Sequence, residues 1–124
     1  MSNEIISAIL ILLTTIGGAI GFYEDPFTKN INDNVEDVDN VVLGVADSQA
    51  KYNAGEIGIG QFRADWQDAK QFISQKHIDA CKDTDLSPKE RELNEKYKTY
   101  LLECNKVVIE YSEGNQPELP EWNE

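Results

Sequence analysis

The chain has 124 residues, with 23 acidic and 11 basic side chains and a net charge of −12. That balance argues against binding nucleic acid or an anionic lipid surface, both of which need basic patches. The length allows one small domain beyond any terminal segment.

Residues 5–23 read IISAILILLTTIGGAIGFY without a charge. As a helix this run would span roughly 28 Å, close to the hydrocarbon thickness of a bilayer, about 30 Å. A secretory signal would have a basic front end. Here Met1, Ser2, Asn3 and Glu4 supply none. The expectation is a retained single-pass anchor over 1–24. A removed signal is the second reading, because Gly17, Ala19 and Gly21 offer small residues for cleavage. A buried soluble helix is the third, disfavoured because the run is apolar all round.

Orientation rests on thin signals. The first basic residue after the run is Lys29, set among Glu24, Asp25, Asp33, Glu36, Asp37 and Asp39. Acidic residues contribute little to topology, and a four-residue tail is easier to leave in the cytoplasm than a domain with so few basic residues beside the run is to hold there. The carboxyl-terminal domain is therefore expected to be extracytoplasmic. Gly17 and Gly21 form a G-x-x-x-G, and Thr14 and Gly18 repeat that small-residue spacing. Such a face lets helix backbones approach closely in lipid, as a homodimer or against a larger membrane complex.

Asp25-Pro26 is a helix start: an N-cap acceptor followed by proline at the first helical position. Ile31, Val35, Val38, Val42, Val45, Gln49 and Tyr52 follow at alternating spacings of four and three. This predicts one apolar stripe on a helix over about 26–54. Valine prefers strands, but the period decides for helix. Gly55 marks the stop, and Gly55, Gly58 and Gly60 read as a tight helix–helix turn. With no preceding strand and no following lysine, they do not make a phosphate cradle.

A second helix is expected over about 60–82, with Phe62, Trp66, Ala69, Ile73, His77 and Ala80 on its stripe and Phe72 widening it. Ser87-Pro88-Lys89-Glu90 is a capping box with proline at the first position, which opens a third helix. Its stripe is Leu93, Tyr97, Tyr100, Leu101, Cys104, Val107, Val108 and Tyr111, and Gly114 ends it. The fold expected for 25–113 is an all-α antiparallel three-helix bundle. Phe62, Trp66, Phe72, Tyr97 and Tyr100 are expected to dominate its core, with Trp66→Ala costing on the order of 3–5 kcal/mol.

Residues 114–124 carry Pro117, Pro120 and three Glu, and read as an extended or disordered acidic tail. Leu119 and Trp122 within it resemble a short peptide that orders on a partner.

Chemistry-bearing patterns are sparse. Cys81 ends the second helix, whereas Cys104 lies about seventeen residues into the third, roughly 25 Å along it. A disulfide needs Cα atoms within about 7 Å, so two free thiols are expected. Asp83-x-Asp85-x-Ser87 opens like a calcium loop, but Pro88 stands where that loop needs glycine, and Asn94 where it needs Glu. Asp33, Glu36, Asp37 and Asp39 read as a solvated face. His77, the single histidine, has no adjacent Cys or Glu, which makes it a weak metal ligand. No catalytic, cofactor or metal set emerges.

The function expected is therefore non-enzymatic: a membrane-anchored accessory, scaffold or binding subunit of a membrane or envelope assembly, with a protein partner. A secreted helical binding protein is the alternative if residues 1–24 are removed. A metal-dependent enzyme on a helical scaffold is the alternative from another class.

Overall fold

The computed structural model describes residues 24–123. These form three helices: α1, Pro26–Asn53; α2, Ile59–Lys82; and α3, Pro88–Ser112. Among the described residues there is no strand. The expected span 5–23, with Thr14, Gly17, Gly18 and Gly21, lies outside the described residues. Among those described, no helix is long and apolar enough to cross a membrane.

Local chemistry sets the ends of α1 and α3, whereas α2 starts after Gly58 without a side-chain cap. The Asp25 carboxylate accepts hydrogen bonds from the Thr28 amide and the Thr28 hydroxyl, both at 2.9 Å, with Pro26 next in line. Those bonds hold the Asp25 carboxyl below its ordinary range. At α3, Ser87 Oγ accepts from the Glu90 amide at 3.2 Å, and Glu90 Oε1 accepts from the Ser87 amide at 2.9 Å. This reciprocal box satisfies two otherwise orphaned donors. Gly55 and Gly114 sit at φ 78° and 89°, a left-handed conformation that closes α1 and α3 without a Cβ penalty.

Cross-helix hydrogen bonds define the topology. Ser48 near the end of α1 donates to Asp65 near the start of α2, and Lys76 late in α2 donates to Asn34 early in α1. Asn94 early in α3 donates to the Ala80 carbonyl at the end of α2. Gln49, late in α1, donates to the Tyr111 carbonyl, late in α3. So α1 and α2 are antiparallel, α2 and α3 are antiparallel, and α1 runs parallel to α3. All three pairs pack together.

The core follows the expected α1 stripe: Ile31, Val35, Val38, Val42 and Val45 are buried. They meet Ile73 of α2 and Leu101 and Val108 of α3, each completely inaccessible. The last position of the α1 stripe departs from expectation. Tyr52 is 37% exposed and stacks on Phe62, ring centroids 5.0 Å apart, as a cover over the bundle's end.

Helix α2 differs more. Phe62, Ala69, Ile73 and Ala80 are its buried residues, whereas Trp66 and His77 are half-buried and Phe72 is 36% exposed. The inner line follows spacings of seven, four and seven, and Trp66 and Phe72 fall on its two edges. Small Ala69 and Ala80 occupy the inner line instead, which lets α2 lie close to its neighbours. Each edge aromatic carries an ammonium over its ring: Lys70 over Trp66 at 5.7 Å and Lys76 over Phe72 at 5.3 Å.

Trp66 therefore does not anchor the core. Leu101→Ala is expected to cost about 2–5 kcal/mol, and Trp66→Ala distinctly less. Urea denaturation of the two variants compares them, and a larger loss for Trp66→Ala would refute this assignment.

Candidate interaction surfaces

Three features could carry function: the tail seam with the buried polar groups beneath it, an apolar groove between α1 and α2, and a larger hollow at one end of the bundle.

The tail does not hang free. Past Gly114 it turns back along the seam between α1 and α3, and buried Gln49 fastens its start. Gln49 Nε2 donates to the Tyr111 carbonyl at 3.0 Å and to the Asn115 carbonyl at 2.9 Å, and its Oε1 accepts from Gln116 at 2.7 Å. Further along, Leu119 and Pro120 line a cleft of about 150 Å³ with Val42, Tyr100 and Cys104. Trp122 then meets the rings of Tyr97 and Tyr100 edge-on, with centroids 6.5 and 5.4 Å away. Its Nε1 donates to Asn32 Oδ1 at 2.9 Å. The tail has no helix or strand, and Trp122 is engaged by the chain's own bundle. The apolar tryptophan face finds two aromatic rings within reach, and its N–H finds an acceptor. Leu119 remains 47% exposed.

Under this tail lie groups that hold their protons. The Tyr100 hydroxyl donates to Asp39 Oδ1. Burial, then this hydrogen bond, keeps the Tyr100 phenol well above its ordinary range. Burial, reinforced by the Asp79 charge, pushes Tyr97 up to about 12. Burial also pushes the Cys104 thiol up to about 12. A neutral buried thiol is not a nucleophile at physiological pH. Both cysteines are free, Cys81 exposed and Cys104 buried, as their helix positions predict. Cys81 Sγ lies 3.7 Å from His77 Nδ1, one turn away on the same helix. Among the described residues, no three His, Cys, Asp or Glu side chains gather to hold a metal ion. In the four-carboxylate segment of α1, Asp33 pairs with Lys29 at 2.8 Å and Asp39 accepts from Tyr100.

The groove between α1 and α2 has a volume of about 430 Å³ and is lined by Val41, Gly44, Val45, Asp65, Asp68, Ala69 and Phe72. Sequence reading missed it. The sequence sets Phe72 beside the core stripe, and that offset is the signal for its exposed face. The end hollow, about 870 Å³, lies where α1 and α3 both begin, between Phe27, Thr28, Leu93 and Lys96. It adjoins the point where the chain enters from residues 1–23.

No protein-family model matches this chain, and no curated protein or solved structure shows significant similarity to it.

Two outcomes test the tail seam. Trp122→Ala is expected to destabilise the bundle by about 1–3 kcal/mol, less than a fully buried tryptophan would. An unchanged denaturation midpoint would mean that the tail does not pack. The proton-holding groups also set an alkaline limit. Their ordinary values are 9.0 for Cys104 and 10.0 for the tyrosines. The unfolded chain releases these protons first, so stability is complete below about pH 9 and falls as the pH rises toward 12. Urea midpoints measured across that window should decline, and a flat profile would contradict the burial.

Proposed function

We propose that this chain is a membrane-tethered, non-enzymatic binding module. Residues 5–23 serve as the tether, and the acidic three-helix bundle is displayed on the extracytoplasmic side. In this reading it is an accessory or scaffold subunit of a membrane or envelope assembly.

The observation that carries the reading is the uncharged nineteen-residue run, long enough for a bilayer, at residues 5–23. The start of α1 supports it. Asp25 caps α1 and Pro26 opens it, so the bundle begins as an element of its own rather than as a continuation of the run. Gly17 and Gly21, with Thr14 and Gly18, offer a face for association within the membrane, as a homodimer or with a partner helix. The surplus of carboxylates disfavours nucleic acid as a partner. The buried thiol and phenols hold their protons, which suits a structural role for them.

Carbonate extraction of expressing cells tests the tether. The full chain is expected to stay with the membranes, and a variant lacking residues 1–23 to leave them. Intact mass should include those residues, and loss of about twenty would establish the secreted alternative instead. Exposed Cys81 reports the side, since Cys104 is buried. A membrane-impermeant maleimide should label intact cells, and labelling only after lysis would reverse the orientation.

A further inference from the structure

We propose that the groove between α1 and α2 is a docking site for a cationic amphipathic helix of a partner protein. The proposal rests on the reading of the bundle as a binding module and not on the tether.

Gly44 is the first reason. It lies in the interior of α1, where glycine costs about 0.5–1 kcal/mol relative to alanine. The fold makes no use of it. Its φ is not positive, and a Cβ built there would meet nothing within 4 Å. The missing side chain leaves one exposed stretch of α1 backbone bare along the groove. Backbone left bare beside apolar walls admits close approach of another helix.

The walls are the second reason. Val45 and Ala69, almost inaccessible, close the bottom of the groove, Val41 is half-buried beside them, and Phe72 leaves 36% of its surface in water. A groove between two antiparallel helices accepts a third rod along its length. An amphipathic helix would seat apolar residues spaced three and four apart on this floor.

Charge selects the occupant. Both ionisable residues lining the groove, Asp65 and Asp68, are acids. Asp37 stands one turn from Val41 on the same side of α1, and Asp47, one turn from Gly44, is paired with Lys51 at 3.2 Å. Lys76 lies over the Phe72 ring with its ammonium bound to Asn34 Oδ1. Lysine and arginine flanking the partner's apolar stripe would complement this rim. A second copy of the chain would bring a like-charged rim, and residues 1–23 contain no basic residue.

The test uses the full chain in nanodiscs of zwitterionic lipid, isotopically labelled for amide spectra. The probe is a synthetic Leu/Lys amphipathic helix of about 18 residues, long enough to hold its fold. Saturable shifts are expected at Gly44, Val45, Ala69 and Phe72, weakening with added salt. Gly44→Leu fills the groove and should lower affinity at least about tenfold. Its melting temperature should not fall, because an exposed helical glycine is replaced by a good helix former. Asp65→Asn with Asp68→Asn should lower affinity severalfold. The proposal is overturned by an absence of shifts, by shifts centred elsewhere, by equal binding of a Leu/Glu peptide, or by unchanged affinity in Gly44→Leu. Shifts at these amides on raising protein concentration without peptide would assign the groove to a second copy and also overturn it. Release in carbonate with a successful titration sinks the tether alone, and the reverse pattern sinks the groove alone.

Discussion

The fold depends on burying one narrow line of β-branched side chains. Ile31, Val35, Val38, Val42 and Val45 run the length of α1, and all are nearly inaccessible. Phe27, Val41 and Ala46 add partly buried contacts beside this line, and most of the carboxylates and amides on the rest of α1 stay wet. That requirement fixes the rotation of α1 about its axis. Helices α2 and α3 then have to supply the complementary surfaces, which they do through Ile73, Leu101 and Val108. Burial of each large side chain contributes roughly 1.5–3 kcal/mol before entropy is counted, so the line is the main favourable contribution of α1.

Valine stripes are nearly featureless, and they do not by themselves choose a register. Polar pins do that. Gln49 bonds at one end of the bundle to the last turn of α3 and to the tail, and Asn94 bonds at the other end to the last turn of α2. Tyr100 and Asp39 join α1 and α3 between them. A slip of one turn would leave these buried groups unpaired, at a cost of about 1–3 kcal/mol each. The polar contacts therefore specify what the apolar contacts stabilise.

This division of labour also shapes the surface. The inner line of α2 is filled by Phe62, Ile73 and two alanines, and its other aromatics lie at the edges. Trp66 and Phe72 become borders of the bundle rather than its centre. Beside Phe72 the chain keeps a glycine that its own packing does not use.

Local signals along the chain specify α1 and α3 from cap to stop, the body of α2, and most of the buried set. Capping chemistry and hydrophobic period are local, and local rules sufficed for Asp25-Pro26, Ser87-Glu90, Gly55 and Gly114. The two free thiols were legible as well, because rise per residue places Cys81 and Cys104 far apart along paired helices. Tertiary structure alone decided three things. It assigned Trp66 and Phe72 to edges, since inside and edge differ by a fraction of a turn that only the neighbouring helices resolve. It turned the tail back on the bundle, since the Trp122 partners Tyr97, Tyr100 and Asn32 come from two helices far away in sequence. It brought Val41, Gly44 and Phe72 to one groove, since a surface shared by two helices exists only after they have packed.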